Sequence, residues 1–273
     1  MTLTELVRLT LEEDVGPGDV TTLATVDADA RGTARIYAKQ SLVVSGHAAA
    51  KEVFRQVDAS YTEEAGEGTQ VEYGGTIARV EGPLRSLLTG ERAALNFLMR
   101  LCGVATHVRT VVDAAHGLRV VDTRKTTPLL RALEKAAVRA GGAANHRFGL
   151  FDGILIKDNH IVAAGGIGPA IARARAAGHP LLRVECEVET LAELKLALDS
   201  GADIVLLDNM DDATLADAVA LAGGRAVLEA SGNMTAERIA RIGAIGLDYV
   251  SMGGLIHQAR WADISMRIAA LPA

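Results

Sequence analysis

The sequence predicts an α/β fold in two parts, a small α+β domain followed by a parallel α/β barrel. Three observations point there. After residue 117 the chain alternates apolar, strand-like runs with helical stretches several times over, and parallel neighbours require a crossover of this kind. Before residue 117 the runs are short and divided by glycine and proline turns, as in a small mixed domain. Nearly every strand candidate of the second part ends in polar groups or glycine: Asp122-Thr123-Arg124-Lys125, Lys157-Asp158-Asn159-His160, Glu185-Cys186-Glu187-Val188-Glu189, Asp208-Asn209, Glu229-Ala230-Ser231-Gly232 and Ser251-Met252-Gly253-Gly254. A barrel gathers its carboxyl strand ends at one mouth, whereas an open sheet concentrates function at one switch point. Polar ends on every strand favour the barrel.

Composition narrows the function. With 273 residues, 49% of them hydrophobic and only 3% aromatic, the chain can bury a large core built from Ala, Leu, Val and Ile. No apolar run approaches a membrane span, and the amino terminus lacks a basic-then-apolar signal pattern. Cys102 and Cys186 sit in apolar contexts without metal-ligand spacing, as reduced core residues of a cytoplasmic protein would. A net charge of −6 without a basic stripe argues against a nucleic-acid surface.

In chain order, Thr2 and Glu5 have capping-box spacing ahead of a short amphipathic helix through Leu11. That helix stops in Glu12-Glu13-Asp14-Val15-Gly16-Pro17-Gly18-Asp19. Residues 33–46 suggest two strands, and His47 to Val57 a helix. Short strands are expected near 69–72, 75–81 and 84–88, turning at Gly74-Gly75 and Gly82-Pro83. A long helix follows from Thr89 to about Ala115, interrupted at Gly103 and carrying Arg92 and Asn96 on a face away from its apolar one. On pattern alone Arg92 reads as a surface helix charge. The second part offers strands at 118–122, 153–157, 182–188, 203–207, 226–230 and 248–252. Helices are expected over Thr190–Ser200, Asp211–Leu221 and Thr235–Ile242.

The charges are segregated. Arg119 to His160 holds eight Lys/Arg against four Asp/Glu, while both flanks are acidic. An acidic protein that collects its cations in one segment aims them at a bound anion. Arg131, Lys135 and Arg139 read as a solvated helix face, but Lys157 follows the apolar run Gly153-Ile154-Leu155-Ile156 and needs a partner. Arg124 and Arg147, with His146 adjacent, form a planar cationic group whose forks match carboxylates. Ser231-Gly232-Asn233 and Met252-Gly253-Gly254, on the last two strands, let backbone N–H groups approach a phosphate. Glu187 and Asp208, on neighbouring strands, suit a sugar's hydroxyls or Mg²⁺. Glu185 and Glu189 share the face of Glu187, so spacing does not rank the three. Gly165-Gly166-Ile167-Gly168-Pro169 reads as a loop with Pro169 at a helix start, and His47, His107, His116 and His179 have no evident role.

Taken together, Asp122-Thr123-Arg124-Lys125-Thr126-Thr127-Pro128, Asn145-His146-Arg147, Leu155-Ile156-Lys157-Asp158-Asn159-His160, Leu206-Leu207-Asp208-Asn209 and Leu228-Glu229-Ala230-Ser231-Gly232 closely resemble the quinolinate phosphoribosyltransferase family. Leu130 to Lys135 and the amino-terminal segments Glu13 to Gly16 and Gly18 to Thr22 fit it too, so the likeness spans the chain. It implies an incomplete α/β barrel of six or seven parallel strands over residues 117–258, with an open-faced α+β sandwich over residues 1–116 joined by 259–273. It implies a homodimer in which Arg92 reaches the other subunit's site, reversing the surface reading of that residue.

The reaction implied is transfer of a 5-phosphoribosyl group from 5-phosphoribosyl 1-diphosphate to quinolinate, with decarboxylation and with Mg²⁺. Quinolinate's carboxylates would meet Arg92, Arg124, His146 and Arg147 with Lys157 nearby, and Thr123 and Lys125 would share that surface, Lys125 towards the donor. Glu187 and Asp208 would lie near the ribose and Mg²⁺, which they would hold directly or through water. Ser231, Gly232, Asn233, Met252, Gly253, Gly254 and His257 would hold phosphates. Lys125, Lys157, Glu187 and Asp208 are the expected catalytic set. The family commonly has glycine at Leu129, Ala143 and Asn233 and tyrosine at Ala136. Alternatives are a sister phosphoribosyltransferase for another pyridine carboxylate, a molybdenum-operon paralogue, and a silent phosphosugar-binding barrel.

Overall fold

The structure, a computed structural model, describes residues 1–177 and 180–270. In chain order its elements are α1 (Leu3–Val15), α2 (Val20–Thr25), β1 (Arg31–Ala38), β2 (Leu42–Val43), α3 (His47–Gln56), β3 (Ser60–Glu63), β4 (Gln70–Val71), β5 (Thr76–Pro83) and α4 (Leu84–Ala114). There follow β6 (Arg119–Val121), α5 (Arg131–Ala140), β7 (Ile154–Ile156), α6 (Asp158–Ala164), α7 (Ile167–Ala176), β8 (Val184–Val188), α8 (Leu191–Asp199) and β9 (Ile204–Asp208). The last are α9 (Asp212–Ala222), β10 (Val227–Ser231), α10 (Ala236–Ile242), β11 (Tyr249–Ser251), α11 (Gly254–His257) and β12 (Ile264–Ala270). Two compact units emerge. One takes Met1–Arg109, Thr127–Gly142 and the chain from Gln258 on; the other takes Thr110–Thr126 and Ala143–His257.

The first unit is built on an antiparallel sheet of order β12-β1-β5-β3. Along β1 every second residue is buried, the alternation of a sheet covered on one face. Ile36, Phe54, Ile77, Leu87 and Leu98 are fully buried in the core beneath it. At its amino end the expected capping box is present: the Thr2 side chain accepts from Glu5 N–H, and the Glu5 carboxylate accepts from Thr2 N–H. The carboxy-terminal strand β12 pairs with β1 from Gly32↔Ala270 to Ala38↔Ile264, so the end of the chain completes this sheet.

The second unit carries six parallel strands in the order β6-β11-β10-β9-β8-β7. Most are apolar runs, as expected of strands buried on both faces, but β8 and β10 carry Glu185, Glu187 and Glu229, and all five residues of β8 are buried all the same. β6 pairs with β11 on one side, and on its other side Val121 makes an isolated parallel bridge to Ala144. That bridge is a rudimentary seventh strand. The seam between it and β7 leaves the barrel incomplete. Helices α8, α9 and α10 each start at a side-chain cap from Thr190, Asp211 and Thr235, close to the predicted positions. Among the described residues no helix is long and apolar enough to cross a membrane.

The structure departs from several expectations. Residues 84–88 are not a strand but the first turns of α4, because Leu84, Leu87 and Leu88 fall at helical spacing once Pro83 ends β5. Gly103 does not interrupt α4. A Cβ there would come within 2.0 Å of the Arg260 carbonyl, and Ala262 N–H donates to Met99 O at 2.9 Å, so the glycine exists for close approach of the returning chain. Lys135 is buried rather than solvated, in α5, which belongs to the first unit although its residues were expected within the barrel. Gly165 and Gly166 cap α6 and α7 back to back, and Ile167, not Pro169, opens α7. Strand β3 and helix α2 had no counterpart in the sequence reading. His179 lies outside the described residues.

Replacing Gly103 by Ala should lower stability by about 1–3 kcal/mol, the usual cost of overpacking. Urea unfolding of Gly103→Ala checks this, with an unchanged midpoint as the contrary result.

Candidate active site

The cationic segment is organised by one buried carboxylate. Asp122, at the end of β6, is fully buried and accepts from His146 N–H at 2.8 Å and from Asn145 Nδ2 at 2.7 Å. Its own N–H donates to Ala144 O at 3.2 Å. The segment that carries His146 and Arg147 is therefore pinned to the strand that carries Thr123, Arg124 and Lys125. Arg147 Nη1 donates to Gly153 O at 3.3 Å. The Nε atoms of Arg124 and Arg147 are buried and have no hydrogen-bond partner among the described residues. Burial lowers the Arg147 pKa, and the positive charge of Arg124 lowers it further. Two guanidinium groups thus stand within electrostatic reach of each other.

Below them lies a second set of carboxylates. Glu185 in β8 and Glu229 in β10 approach His146 Nε2 at 3.4 and 3.3 Å. Burial opposes a charge on the ring, while the adjacent carboxylates of Glu185 and Glu229 raise the affinity of the cluster for a proton. Burial likewise pushes Glu185 up to about 7. The backbone decides where the proton sits: Arg147 N–H donates to His146 Nδ1 at 2.8 Å. A nitrogen that accepts carries no proton, so the ring is neutral with its proton on Nε2, and the additional proton belongs to the carboxyl pair. Both ring nitrogens of His146 therefore face inward contacts. These three side chains also have metal-ligand proximity, their ligand atoms lying within 4.8 Å of one another. A cavity of about 420 Å³ touches His146, Arg147 and Glu185 from the opposite end of the sheet, where Arg119, Ile154, Ile204 and Tyr249 begin their strands, and neither Arg124, Lys157, Glu187 nor Asp208 lines it.

The other candidates sit at the strand ends. Lys157 forms a short ion pair with Glu187, and its N–H donates to His160 Nδ1 at 3.0 Å. Glu185, Glu187 and Glu189, which spacing left unranked, separate cleanly. Glu185 meets His146, Glu187 meets Lys157, and Glu189 is exposed with its N–H donating to Glu193. Asp208 is half-buried and accepts from Asn209 Nδ2 at 2.7 Å. Asn209 and Asn233 both have positive φ, 55° and 50°, and Asn233 Nδ2 donates to Asn209 Oδ1 at 3.1 Å. Asparagine tolerates this left-handed backbone, so Asn233 keeps a glycine-like turn. Leu129 also adopts a glycine-like φ, 69°, where leucine is strained.

Gly232 has φ 88°, and a Cβ there would strike Asn209 Oδ1 at 2.2 Å. A Cβ on Gly253 would meet Lys125 Cδ at 2.7 Å, Thr123 Oγ1 at 3.4 Å and His257 Nε2 at 3.5 Å. The glycine thereby lets Thr123, Lys125 and His257 converge. Ser231 ends β10 beside Gly232, Met252 and Gly254 are buried, and Met252 N–H donates to Val121 O at 3.0 Å. Arg92 is exposed on α4 in the first unit. Asp122, Glu185 and Glu229 are the participants that sequence reasoning did not rank. The available signal was a lone carboxylate inside an apolar strand, as in Val227-Leu228-Glu229-Ala230.

An incomplete α/β barrel, with an arginine pair, carboxylates and glycine turns at its strand ends, defines an enzyme of anionic substrates. The family model of the carboxy-terminal domain of quinolinate phosphoribosyl transferase matches residues 104–267, and that of its amino-terminal domain matches residues 19–102. The chain is 41% identical over 97% of its length to a chloroplastic nicotinate-nucleotide pyrophosphorylase [carboxylating] of Oryza sativa subsp. japonica, covering 77% of it. To the probable nicotinate-nucleotide pyrophosphorylase [carboxylating] of Bacillus subtilis it is 40% identical over 94% of the chain and 90% of the relative. The crystal structure of NadC from Streptococcus pyogenes superposes with a TM-score of 0.95 at 39% identity, covering 99% of this chain and 97% of that one. The nicotinate-nucleotide pyrophosphorylase from Francisella tularensis does so at 0.93 and 37% identity, over 98% and 96%. The chain belongs to the quinolinate phosphoribosyltransferase family.

The upward shift of Glu185 has a stability consequence. A carboxyl whose folded pKa exceeds its unfolded value stabilises the fold at low pH and loses that contribution as pH rises. For Glu185 the window is 4.5 to about 7, with a size on the order of a few kcal/mol. Glu229, shifted down, acts only below 4.5. Relative to Glu185→Gln, the wild-type Tm should fall between pH 4.5 and 7 and then level off. A fall that continues towards pH 10 would mean that His146 is an imidazolium.

Proposed function

We propose that this chain catalyses transfer of the 5-phosphoribosyl group from 5-phosphoribosyl 1-diphosphate to quinolinate, releasing diphosphate and CO₂ and forming nicotinate mononucleotide. Family membership supports the reaction class. The observation that carries the substrate is the pair of buried Nε atoms on Arg124 and Arg147 that have no hydrogen-bond partner among the described residues. A pyridine with adjacent carboxylates supplies two negative charges to such a pair in a planar, fork-matching form.

In the reaction the ring nitrogen of quinolinate forms a bond to C1 of the ribose, and the C1–O bond to diphosphate breaks with its electron pair. The bond from ring carbon 2 to its carboxylate then breaks, CO₂ leaves, and the electron pair left on carbon 2, stabilised by the adjacent cationic nitrogen, takes up a proton. Arg124 and Arg147 hold the acceptor so that its nitrogen lies in line with C1, and fixing that geometry accounts for much of the acceleration. Thr123 borders the acceptor, and Lys125 and Lys157 offset negative charge on the donor and on the acceptor carboxylates. Glu187 and Asp208 face the ribose hydroxyls and the cationic character that develops at C1. The turns at Ser231-Gly232-Asn233 and Met252-Gly253-Gly254, with His257, receive the phosphates. His146 borders the acceptor with its ring nitrogens turned away from it.

The donor set at Asp208 and Glu187 is made of hard oxygens and is sparse, which fits Mg²⁺ held largely by diphosphate and water. Bound there, Mg²⁺ would neutralise charge on the leaving diphosphate. The protein is further proposed to act as a homodimer in which Arg92, exposed on α4, enters the partner's site. Its two cysteines, both free and buried, suit the reducing cytoplasm.

One charge pair at about 4 Å and an effective dielectric of about 20 contributes about 4 kcal/mol. Arg124→Ala should therefore lower kcat/KM for quinolinate by about 10²–10³-fold; near-normal kcat/KM would remove Arg124 from this role. Mixing inactive Arg92→Ala and Arg124→Ala proteins should restore activity, since a mixed dimer has one intact site. No recovery after exchange would place Arg92 in its own chain's site or outside any site. Gly253→Ala should raise the KM for 5-phosphoribosyl 1-diphosphate at least several-fold, because its Cβ displaces Lys125. An unchanged donor KM would free that turn from phosphate binding.

A further inference from the structure

We propose that Glu185 and Glu229 are positioning residues for the acceptor: through the His146 ring they fix the direction in which Arg147 is presented. The inference rests on the functional reading above and adds two residues to it.

Carboxylates inside buried strands are costly and persist only where something compensates them. The side chains of Glu185 and Glu229 are 6% and 1% exposed, and both converge on the same ring nitrogen of His146. Glu185 Oε1 and both oxygens of Glu229 have no hydrogen-bond partner of normal geometry among the described residues. Besides Ser251, Tyr249 and each other, the polar group they face is the imidazole. What they act on is the ring. His146 Nε2 points at them, and the opposite nitrogen, Nδ1, accepts the Arg147 N–H at 2.8 Å. Rotating the ring away from the carboxylates would break that bond, so ring orientation and the backbone at Arg147 are mechanically linked. Asp122 holds the same segment from the other side through His146 N–H and Asn145. Arg147 thus leaves a backbone clamped at both ends. Asp152, and Glu185 where it is ionised, also act by charge against the repulsion that Arg147 feels from Arg124.

A metal ion is the competing occupant of this cluster, and the hydrogen bond at Nδ1 argues against it. An imidazole that binds a metal through one nitrogen donates a proton from the other. Here the other nitrogen accepts, which leaves the ring's proton on Nε2, where the metal would have to be.

The test is steady-state kinetics of Glu185→Gln and Glu229→Gln, which keep side-chain volume and remove the carboxylate. The quinolinate KM should rise about tenfold or more, while the KM for 5-phosphoribosyl 1-diphosphate stays within twofold and the variants remain folded by circular dichroism. In ¹⁵N-histidine-labelled wild-type protein, the His146 ring should show a bare Nδ1 and a protonated Nε2, a readout that does not depend on any variant folding. An unmoved quinolinate KM, a parallel rise of both KM values, the opposite tautomer, or stoichiometric Zn²⁺ uptake lost in Glu229→Gln would overturn the proposal. Wild type that forms no nicotinate mononucleotide would instead sink the functional reading. Calorimetric binding of pyridine-2,3-dicarboxylate to the same three proteins then decides the positioning role separately: weaker binding by both variants supports it, and equal binding or none by any protein overturns it.

Discussion

Two guanidinium groups held near each other, with buried nitrogens left unsatisfied, are the constraint on which the second unit depends. Such an arrangement is unfavourable by itself, through repulsion and through desolvation. At Arg147 the negative charge of Asp152, and of Glu185 where it is ionised, acts against that repulsion. Asp122 accepts from backbone and amide donors, Glu185 and Glu229 both approach His146 Nε2, and Asp152 accepts from the N–H groups of Phe148 and Gly149. The direct partner is left for a ligand. This is electrostatic preorganisation, in which charge complementarity is built before the substrate arrives.

The barrel makes this arrangement possible because strand register fixes depth. Glu185 and Glu187 lie two residues apart on β8 and so share a face, yet one reaches the interior ring and the other the lysine that follows β7. β9 and β10 pair with Asp208 opposite Ser231, which puts an acid and the start of a glycine turn at the same level. Glycines at 232 and 253 then allow side chains from neighbouring strand ends to crowd in where a Cβ would block them. The cations assigned to the acceptor and the turns proposed for the phosphates come from different segments, so each can be rigid without compromising the other.

Most of the parallel strands were legible because they are short apolar runs closed by a polar residue, while β8 was legible by its alternation of Val184, Cys186 and Val188 with Glu185 and Glu187. The beginning of α4 was not: Leu84-Arg85-Ser86-Leu87-Leu88 satisfies both strand and helix patterns, and only its continuity with the following turns settles it as helix. Gly103 misled for a related reason, since glycine in a helix marks either a break or a close contact, and the contact is with Arg260, far away in sequence. Lys135 read as solvated because helical periodicity cannot show that a second surface covers it. In the site, Arg124 and Lys157 stood out as cations at strand ends, and Arg147 as an arginine next to His146. Glu229 did not, because its importance comes from meeting His146 together with Glu185 from two strands that flank β9, a relation of tertiary structure alone.

The central claim, that the arginine pair exists for a doubly charged planar acid, is tested most directly by calorimetry on the wild-type protein. Pyridine-2,3-dicarboxylate and pyridine-3-carboxylate differ by one carboxylate. The account predicts that the dicarboxylate binds at least about 100-fold more tightly, consistent with one additional charge-assisted contact or more. Equal affinity for the two acids would contradict it.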